Sequence, residues 1–425
     1  MSAPLVVVGA GLAGWTTVRE FRKLDGVTPV IVITADSGDF YAKPGLSNAL
    51  AQKRTPAQLV STPAARMVET LNVTLLPFAT VERLDTARHE LTLRSHGASQ
   101  PLVYGQLVLA TGARPIRSAI AGNATEQVLS VNSLDDFTVF YDRLTRPVPS
   151  LQGGDAPDDS ASSNNANSHR KTVLVIGAGL IGCEFANDLL QAGHHVHVVD
   201  PSPRPLAALL PEAAGLQLQT ALQELGAHWH FGTTVQAVDT AADVDAQTTR
   251  GGTGTDTAAA LRITLADGTQ IAADAVLSAI GLRADIGLAS AAGLVCERGI
   301  VVDQTLQTSA EKVYALGDAA QYSSAGQRTL PYVMPIMHAA KALAATLSGT
   351  RTELAFPLMP VSIKTPALPV VVAAAHPVLA GSWVADTQEQ PGVWRFMDAQ
   401  GAQRGFVLTG KSAARRMELS KDTQA

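Results

Sequence analysis

Two short stretches of the 425-residue chain have the residue types and spacing to hold a diphosphate. Gly9, Ala10, Gly11, Leu12, Ala13 and Gly14 follow the pattern G-x-G-x-x-G directly after the apolar run "PLVVV". Gly177, Gly179, Leu180, Ile181 and Gly182 repeat it after "KTVLVI". In such a loop the first glycine permits a tight turn, the second lets the backbone approach a pyrophosphate, and the third lets helix and strand pack closely; the phosphate charge then sits at the helix amino terminus. An acid about 20 residues further on, at the end of the next strand, can accept hydrogen bonds from ribose hydroxyls. The first loop has Asp36, after Thr34 and Ala35 in "VITAD", either as ribose ligand or as a turn residue. The second has Asp200, which would accept from the adenosine ribose and repel a 2′-phosphate, so NADH is expected over NADPH. Arg204 is a nearby cation that could soften this preference, or contact pyrophosphate or solvent instead.

These loops work only if strands and helices flank them. "PLVVVGAG" and "TPVIVITAD" are β-branched runs on either side of "LAGWTTVREFRKLDG", whose apolar spacing predicts a helix ending at Gly26. "KTVLVI", "LIGCEFANDLLQAG" and "HHVHVVD" repeat strand, helix and strand. "YGQLVLATGARP" and "GIVVDQTLQTSAEKVYALGDAA" add strands to the first unit, and Asp267-Gly268 marks a hairpin turn in the second. The fold class expected is α/β, with two Rossmann-like dinucleotide-binding units, the second inserted in the first. Beyond Gly326 the chain becomes short Pro-punctuated strands with one Ala-rich helix near "MHAAKALAATLSG", a small α+β C-terminal domain. The expected division is 1–120 and 284–327 for the first unit, 121–283 for the second, and 328–425 for the third. Polar, Gly-, Ser-, Asn- and Thr-rich tracts at 151–171 and 239–260 read as peripheral insertions, the first of them mobile.

Composition bounds the rest. A chain of this length, 46% apolar, divides into two or three domains with ample cores. A net charge of −5 excludes a general nucleic-acid binder and gives no reason to invoke a membrane surface. No apolar run approaches the roughly 20 residues that span a bilayer. "MSAPLVVVGAG" has no basic region before its strand, so no signal peptide is expected and cytoplasmic residence is. Cys183 and Cys296 form neither a CxxC pair nor a zinc spacing; they read as packing residues, and no metal site is expected.

"LVLATGARP", with Ala110, Thr111 and Gly112, and "TSAEKVYALGDAA", with Asp318, resemble the ATG and GD motifs of the pyridine nucleotide-disulfide oxidoreductase superfamily. The resemblance implies a glutathione-reductase type of fold, FAD in the first unit with Asp318 at its ribityl chain or phosphate, and NADH in the second. It also gives Glu184, completing G-x-G-x-x-G-x-E, a place beside the nicotinamide. "LSAIGLRAD" resembles the segment that returns the chain to the flavin, with Gly281 at the cofactor, although Ala284 stands where the family commonly has Pro. Where the disulfide reductases of the superfamily carry a redox cysteine, this chain has "FYAKPGLSNAL", so electrons must pass directly from flavin to acceptor.

That segment, with Lys43 and Pro44, resembles the rubredoxin–NAD reductases and the related flavorubredoxin reductases, and so do "LIGCEFANDL", "ERGIVVDQTLQTS", "LPYVMPIM" and "PVSIKTPALPVVV". The likeness covers nearly the whole chain apart from the two polar tracts. It implies a relay from NADH through FAD to rubredoxin, one electron at a time, supplying a downstream oxygenase or oxidase. Lys43 would stabilise negative charge on the flavin. Val81 would offer backbone atoms to the adenine, Val333 would border the flavin ring, and Lys364 would reach the cofactor from the third domain. The alternatives are a flavorubredoxin or ferredoxin reductase and, in another class, an NADH-sensing flavoprotein that docks a partner. An acidic rubredoxin calls for local positive charge: Arg395, Arg404, Lys411, Arg415, Arg416 and Lys421 against Asp398, Glu418 and Asp422 leave a basic tail, with Lys53-Arg54 as a second rim. Without a redox-cysteine dimer interface, a monomer fits this reading.

Overall fold

The computed structural model describes residues 3–95, 97–145, 170–241, 261–376, 378–386 and 392–423. The two polar tracts fall almost wholly outside these residues. No helix among the described residues is long and apolar enough to cross a membrane.

Two five-stranded parallel sheets organise the chain. In the first, the spatial order is Val313–Ala315, Gln106–Leu109, Leu5–Val8, Val30–Ile33, Thr74–Leu76. In the second it is Ala227–Phe231, His195–Asp200, Thr172–Ile176, Ala275–Ser278, Val128–Leu129. Their central strands read LVVV and TVLVI and are buried almost throughout, the pattern of a sheet covered on both faces. Helix α1 (Leu12–Arg22) follows the first glycine loop and α2 (Leu180–Gln191) the second. Each unit also carries a three-stranded antiparallel meander, Ala79–Asp85 with its two successors and Val235–Thr240 with its two. In the latter, Gly268 makes the predicted hairpin turn at φ 87°.

The second unit is an insertion in the first. The chain leaves along Ala113–Pro115 and returns along Leu282–Ala284, and these two segments pair antiparallel as a ribbon, Ala284 opposite Ala113. A strand pair therefore occupies the place where the sequence lacks the expected proline.

The last unit is a five-stranded antiparallel sheet in the order Val361–Ile363, Val370–Ala373, Gln403–Thr409, Val393–Asp398, Gly381–Ala385, closed by a short helix, Arg416–Asp422. One element differs from the sequence reading. Helix α3 (Val333–Leu347), assigned by sequence to the third domain, lies along α1, and its buried Ile336, Ala339, Ala340 and Leu343 join the core of the first unit. Leu354 belongs to that core as well, so the core boundary falls beyond it and not at residue 328. The Ala-rich face allows close approach to α1, and packing of that face decides where the helix belongs.

Candidate dinucleotide sites and the cleft between them

The glycine loops sit where strand meets helix in each unit, and the three glycines of each do different work. Gly9 has φ 111° and Gly177 φ 104°, backbone that a side chain disfavours. A Cβ on Gly14 would lie 1.9 Å from the carbonyl oxygen of Gly9, and one on Gly182 the same distance from that of Gly177. The third glycine is thus a packing residue in both loops. The middle ones, Gly11 and Gly179, have nothing within 4 Å of where a Cβ would be. They are the N-caps of α1 and α2, neither capped by a side chain and neither followed by an acid in the first turn. Two sets of free helical N–H groups and two positive helix ends therefore face open space, the arrangement that suits the diphosphates of two dinucleotides.

Both loops open on one continuous cleft of about 2370 Å³. Its lining includes every residue singled out from the sequence as cofactor-binding or catalytic except Gly14 and Gly182, which are buried behind it. On the first unit's side these are Gly9 to Ala13, Thr34 to Asp36, Lys43, Pro44, Val81, Ala110 to Gly112 and Asp318. On the other they are Gly177, Gly179 to Ile181, Glu184, Asp200 and Gly281. Val333, first residue of α3, and Lys364 close it from the C-terminal side.

At the first loop, Asp36 Oδ1 accepts from Thr34 Oγ1 at 2.6 Å and from Gly38 N at 3.0 Å. Asp36 thus caps its own turn while facing the cleft, so the two sequence readings of this acid are compatible. Thr111 Oγ1 donates to Asp285 O at 2.8 Å, and Asp285 N to Gly112 O at 2.9 Å, pinning the ATG segment to the ribbon that returns from the second unit. Gly317, at φ 78°, is held by the buried phenol of Tyr322, which accepts from Gly317 N at 2.7 Å. That bond orients Asp318. Burial raises the Asp318 carboxyl's pKa and the Lys43 ammonium pulls it back. Lys43 shows the reciprocal pattern: burial lowers its pKa, and Asp318, Asp136 and Asp36 oppose the shift. It donates to Asn132 Oδ1 at 3.4 Å, and Asn132 Nδ2 donates to Ala113 O at 2.8 Å. A lysine so enclosed is not a solvated loop residue.

At the second loop, Asp200 closes its strand onto the glycine turn, accepting from Ala178 N at 2.6 Å and Ser202 N at 2.7 Å. Arg204 does not line the cleft. Its guanidinium lies against Gly215, where an added Cβ would meet its Nη1 at 2.9 Å. Glu184, on α2, is 1% exposed. Its Oε2 accepts from Ser47 Oγ at 2.7 Å and from the Lys364 ammonium; its Oε1 accepts from Lys364 N at 2.9 Å. One turn on, Asp188 accepts from Leu50 N at 3.0 Å and Ala51 N at 2.9 Å. Burial pushes the Asp188 carboxyl up to about 6, against those two bonds and Lys364. Ser47 and Asp188 lie within the stretches "FYAKPGLSNAL" and "LIGCEFANDL" but were given no role there, and Asn132 and Tyr322 carried no motif that would have singled them out.

Neither cysteine reaches the cleft. Cys183 is buried, donates to Ala178 O at 3.3 Å and has its pKa raised by burial; Cys296 is shifted the same way. A buried thiol is a poor nucleophile, which matches the reading of Cys183 as packing, while Cys296 is half-buried. The basic tail is partly spent internally. Arg395 pairs with Asp386 at 3.4 Å, Arg404 with Asp398 at 2.7 Å and Arg415 with Glu418 at 2.6 Å. Among the described residues Lys411, Arg416 and Lys421 have no ion pair.

The chain belongs to the pyridine nucleotide-disulphide oxidoreductase family, which residues 3–345 match. Residues 353–423 match the rubredoxin binding C-terminal domain, and the junction between the two matches lies close to where the cores divide. Over 419 residues, 98% of this chain and 97% of the relative, it is 40% identical to a rubredoxin-NAD(+) reductase of Acinetobacter baylyi. It is 38% identical over 411 residues to the nitric oxide reductase FlRd-NAD(+) reductase of Aeromonas salmonicida, covering 96% and 94% of the two chains. Its fold is that of putidaredoxin reductase in a covalent complex with putidaredoxin, at TM-score 0.79 and 22% identity, covering 98% and 92% of the two.

Proposed function

We propose that this chain is an NADH-dependent FAD oxidoreductase that passes electrons one at a time to rubredoxin. The observation that carries the reading is the pair of uncapped helix ends at Gly11 and Gly179, facing one cleft that the rubredoxin-binding domain closes. FAD, when bound, supplies the conversion between a two-electron donor and a one-electron acceptor.

The residues divide the remaining work. The Gly11 amide end of α1 holds one diphosphate, with Asp36 at its ribose. Lys43, kept in place by Asn132, and the amino-terminal end of α3 at Val333 bring positive charge to the ring that accumulates electrons. Asp318 is oriented by Tyr322 through Gly317 to reach the ribityl chain. The Gly179 end of α2 holds the second diphosphate, Asp200 selects an unphosphorylated ribose, and Glu184 orients the nicotinamide. None of these groups need act as a general acid or nucleophile; they bind, orient and stabilise charge.

Rubredoxin is favoured as acceptor because residues 353–423 match a rubredoxin-binding domain. A flavorubredoxin is the second reading, supported by the 38% identity to the FlRd-NAD(+) reductase. Cytoplasmic residence accompanies either, since NADH circulates there. The test is anaerobic: NADH-reduced protein is mixed separately with rubredoxin, a flavorubredoxin, a ferredoxin and a disulfide. Fast oxidation by rubredoxin is the expected result. Fast oxidation by the disulfide would overturn the direct transfer, and slow oxidation by every iron protein would favour an NADH-sensing role.

A further inference from the structure

We propose that His197 and His230 form a proton-sensitive tie between two strands of the second unit, and that acid, by breaking it, loosens the segment that walls the cleft beyond them. The consequence for the cleft rests on the reading of the second loop as the NADH site.

Five of the chain's ten histidines fall in "GHHVHVVD" and "GAHWHFG", and strand pairing brings three of them together outside the cleft. In the second sheet Leu174, His197 and His228 form one row across the strands, and Ile176, Val199 and His230 the next. Both rows lie on one face of the sheet. Leu174, Ile176 and Val199 bury that face under the antiparallel meander, so the histidines continue it toward the sheet's edge. His197 Nδ1 and His230 Nε2 are 3.0 Å apart while the ring centres are 5.3 Å apart, so the rings meet by their edges and share one N–H between two nitrogens. His228 stacks on His197 at 4.9 Å. No group of three such side chains among the described residues is placed to hold a metal ion, which leaves protons as the ligand of this cluster.

A first added proton puts charge on half-buried rings, and a second sets N–H against N–H and breaks the bond. Among the described residues, His195 on the same strand and His228 on the next repel such a charge. Asp267, on the turn between Leu261–Leu265 and Gln270–Ala273, attracts it to His230. Lys171 and Asp274 act on His194, before the strand begins. Burial first, then His228, holds His197 down to about 4, and burial keeps His230 below its ordinary value despite Asp267. The folded sheet therefore binds fewer protons than the opened one, so the tie is intact above about 6.5 and weakens as pH falls toward 4. Its loss reaches the cleft along the chain. Asp200 ends one tied strand and Phe231, opposite it, ends the other; Thr233, Thr234 and Val235 follow and line the cleft.

The experiment compares hydrogen exchange of residues 227–235 in FAD-loaded protein at about pH 7.5 and about pH 5, corrected for the intrinsic rate. Protection is expected to fall by about tenfold or more at the lower pH, because opening takes up a proton. His197→Asn with His230→Gln keeps a donor and an acceptor at the same reach without a titrating ring, and should hold protection level. Asp267→Asn, on an exposed turn, removes the counter-charge and should bring the loss on at higher pH; it decides the matter if the double variant folds poorly. A level wild-type profile or an undiminished loss in the double variant would overturn the proposal, as would, where that variant fails to fold, an Asp267→Asn profile like that of the wild type. Saturating NAD⁺ should restore protection of 227–235 at the lower pH. Protection gained elsewhere in the second unit but not there would overturn the link to the cleft. Protection gained nowhere in that unit would overturn the NADH reading and leave the tie standing.

Discussion

The carboxylate of Asp200 accepts the amide proton of Ala178, 2.6 Å away, so the end of one strand and the middle of the second glycine loop are held by a charged hydrogen bond. The acid proposed to read the ribose therefore also fixes the turn proposed to hold the phosphates. Hydrogen bonds to charged groups contribute about 1.5–3 kcal/mol. Asp200→Ala is accordingly expected to lower kcat/KM for NADH by about 10- to 100-fold. The ratio of kcat/KM for NADH to that for NADPH should fall too, because repulsion of the 2′-phosphate is lost. An unchanged ratio would mean that Asp200 does not read the ribose.

The glycines separate folding from binding. At Gly11 an added methyl meets open space, so Gly11→Ala should fold with near-normal thermal stability and emerge depleted of FAD, since the methyl occupies the phosphate's place. At Gly182 it meets a carbonyl at 1.9 Å, so Gly182→Ala must push α2 off its sheet and should lower the melting temperature. Absorbance of the purified proteins and a thermal melt distinguish the two. A fully flavinylated Gly11→Ala protein would refute the placement of the diphosphate.

A third expectation concerns pH. Because the folded-state pKa of Asp188, near 6, lies above its ordinary value of 3.8, the native protein binds more protons than the unfolded chain between those values. Stability from this group is complete below the lower value, falls as pH rises through about 6, and is level above it. Titration of labelled aspartate side chains by NMR should find one carboxyl with a midpoint near 6 that disappears in Asp188→Ala. All aspartates titrating near 4 would contradict the burial of this seam.

Acceptor docking should depend on the charges that the fold leaves unpaired. Lys411→Glu combined with Lys421→Glu is expected to raise KM for rubredoxin and flatten its dependence on ionic strength, while flavin reduction by NADH in single-turnover measurements stays as in the wild type. Equal KM in the variant and the wild type at low salt would remove the tail from the docking surface.

Much of this was legible in the chain because a glycine loop is a local demand. Gly9, Gly14, Gly177 and Gly182 sit where a Cβ would meet neighbouring backbone, and such sites leave a fixed spacing in sequence. Helix α3 was assigned to the wrong neighbour because an Ala-rich face packs as well on one surface as another, and only three dimensions show that α1 is the one. Arg204 is long enough to choose between the ribose and Gly215, and its composition does not record the choice. Summed charge treated Arg415 and Glu418 as separate contributions, whereas they neutralise each other three residues apart. Lys364 and Glu184 lie 180 positions apart, on different sheets' units, so nothing local in either segment announces the pair.

The ribbon of Ala113–Pro115 and Leu282–Ala284 makes the points of departure and return immediate neighbours. The whole second unit is in that sense a cassette with its two ends already side by side. Exchanging it for another nucleotide unit requires no rethreading of the first sheet, but a replacement must reproduce the contacts that α2 makes with the C-terminal domain at Lys364 and Ala367.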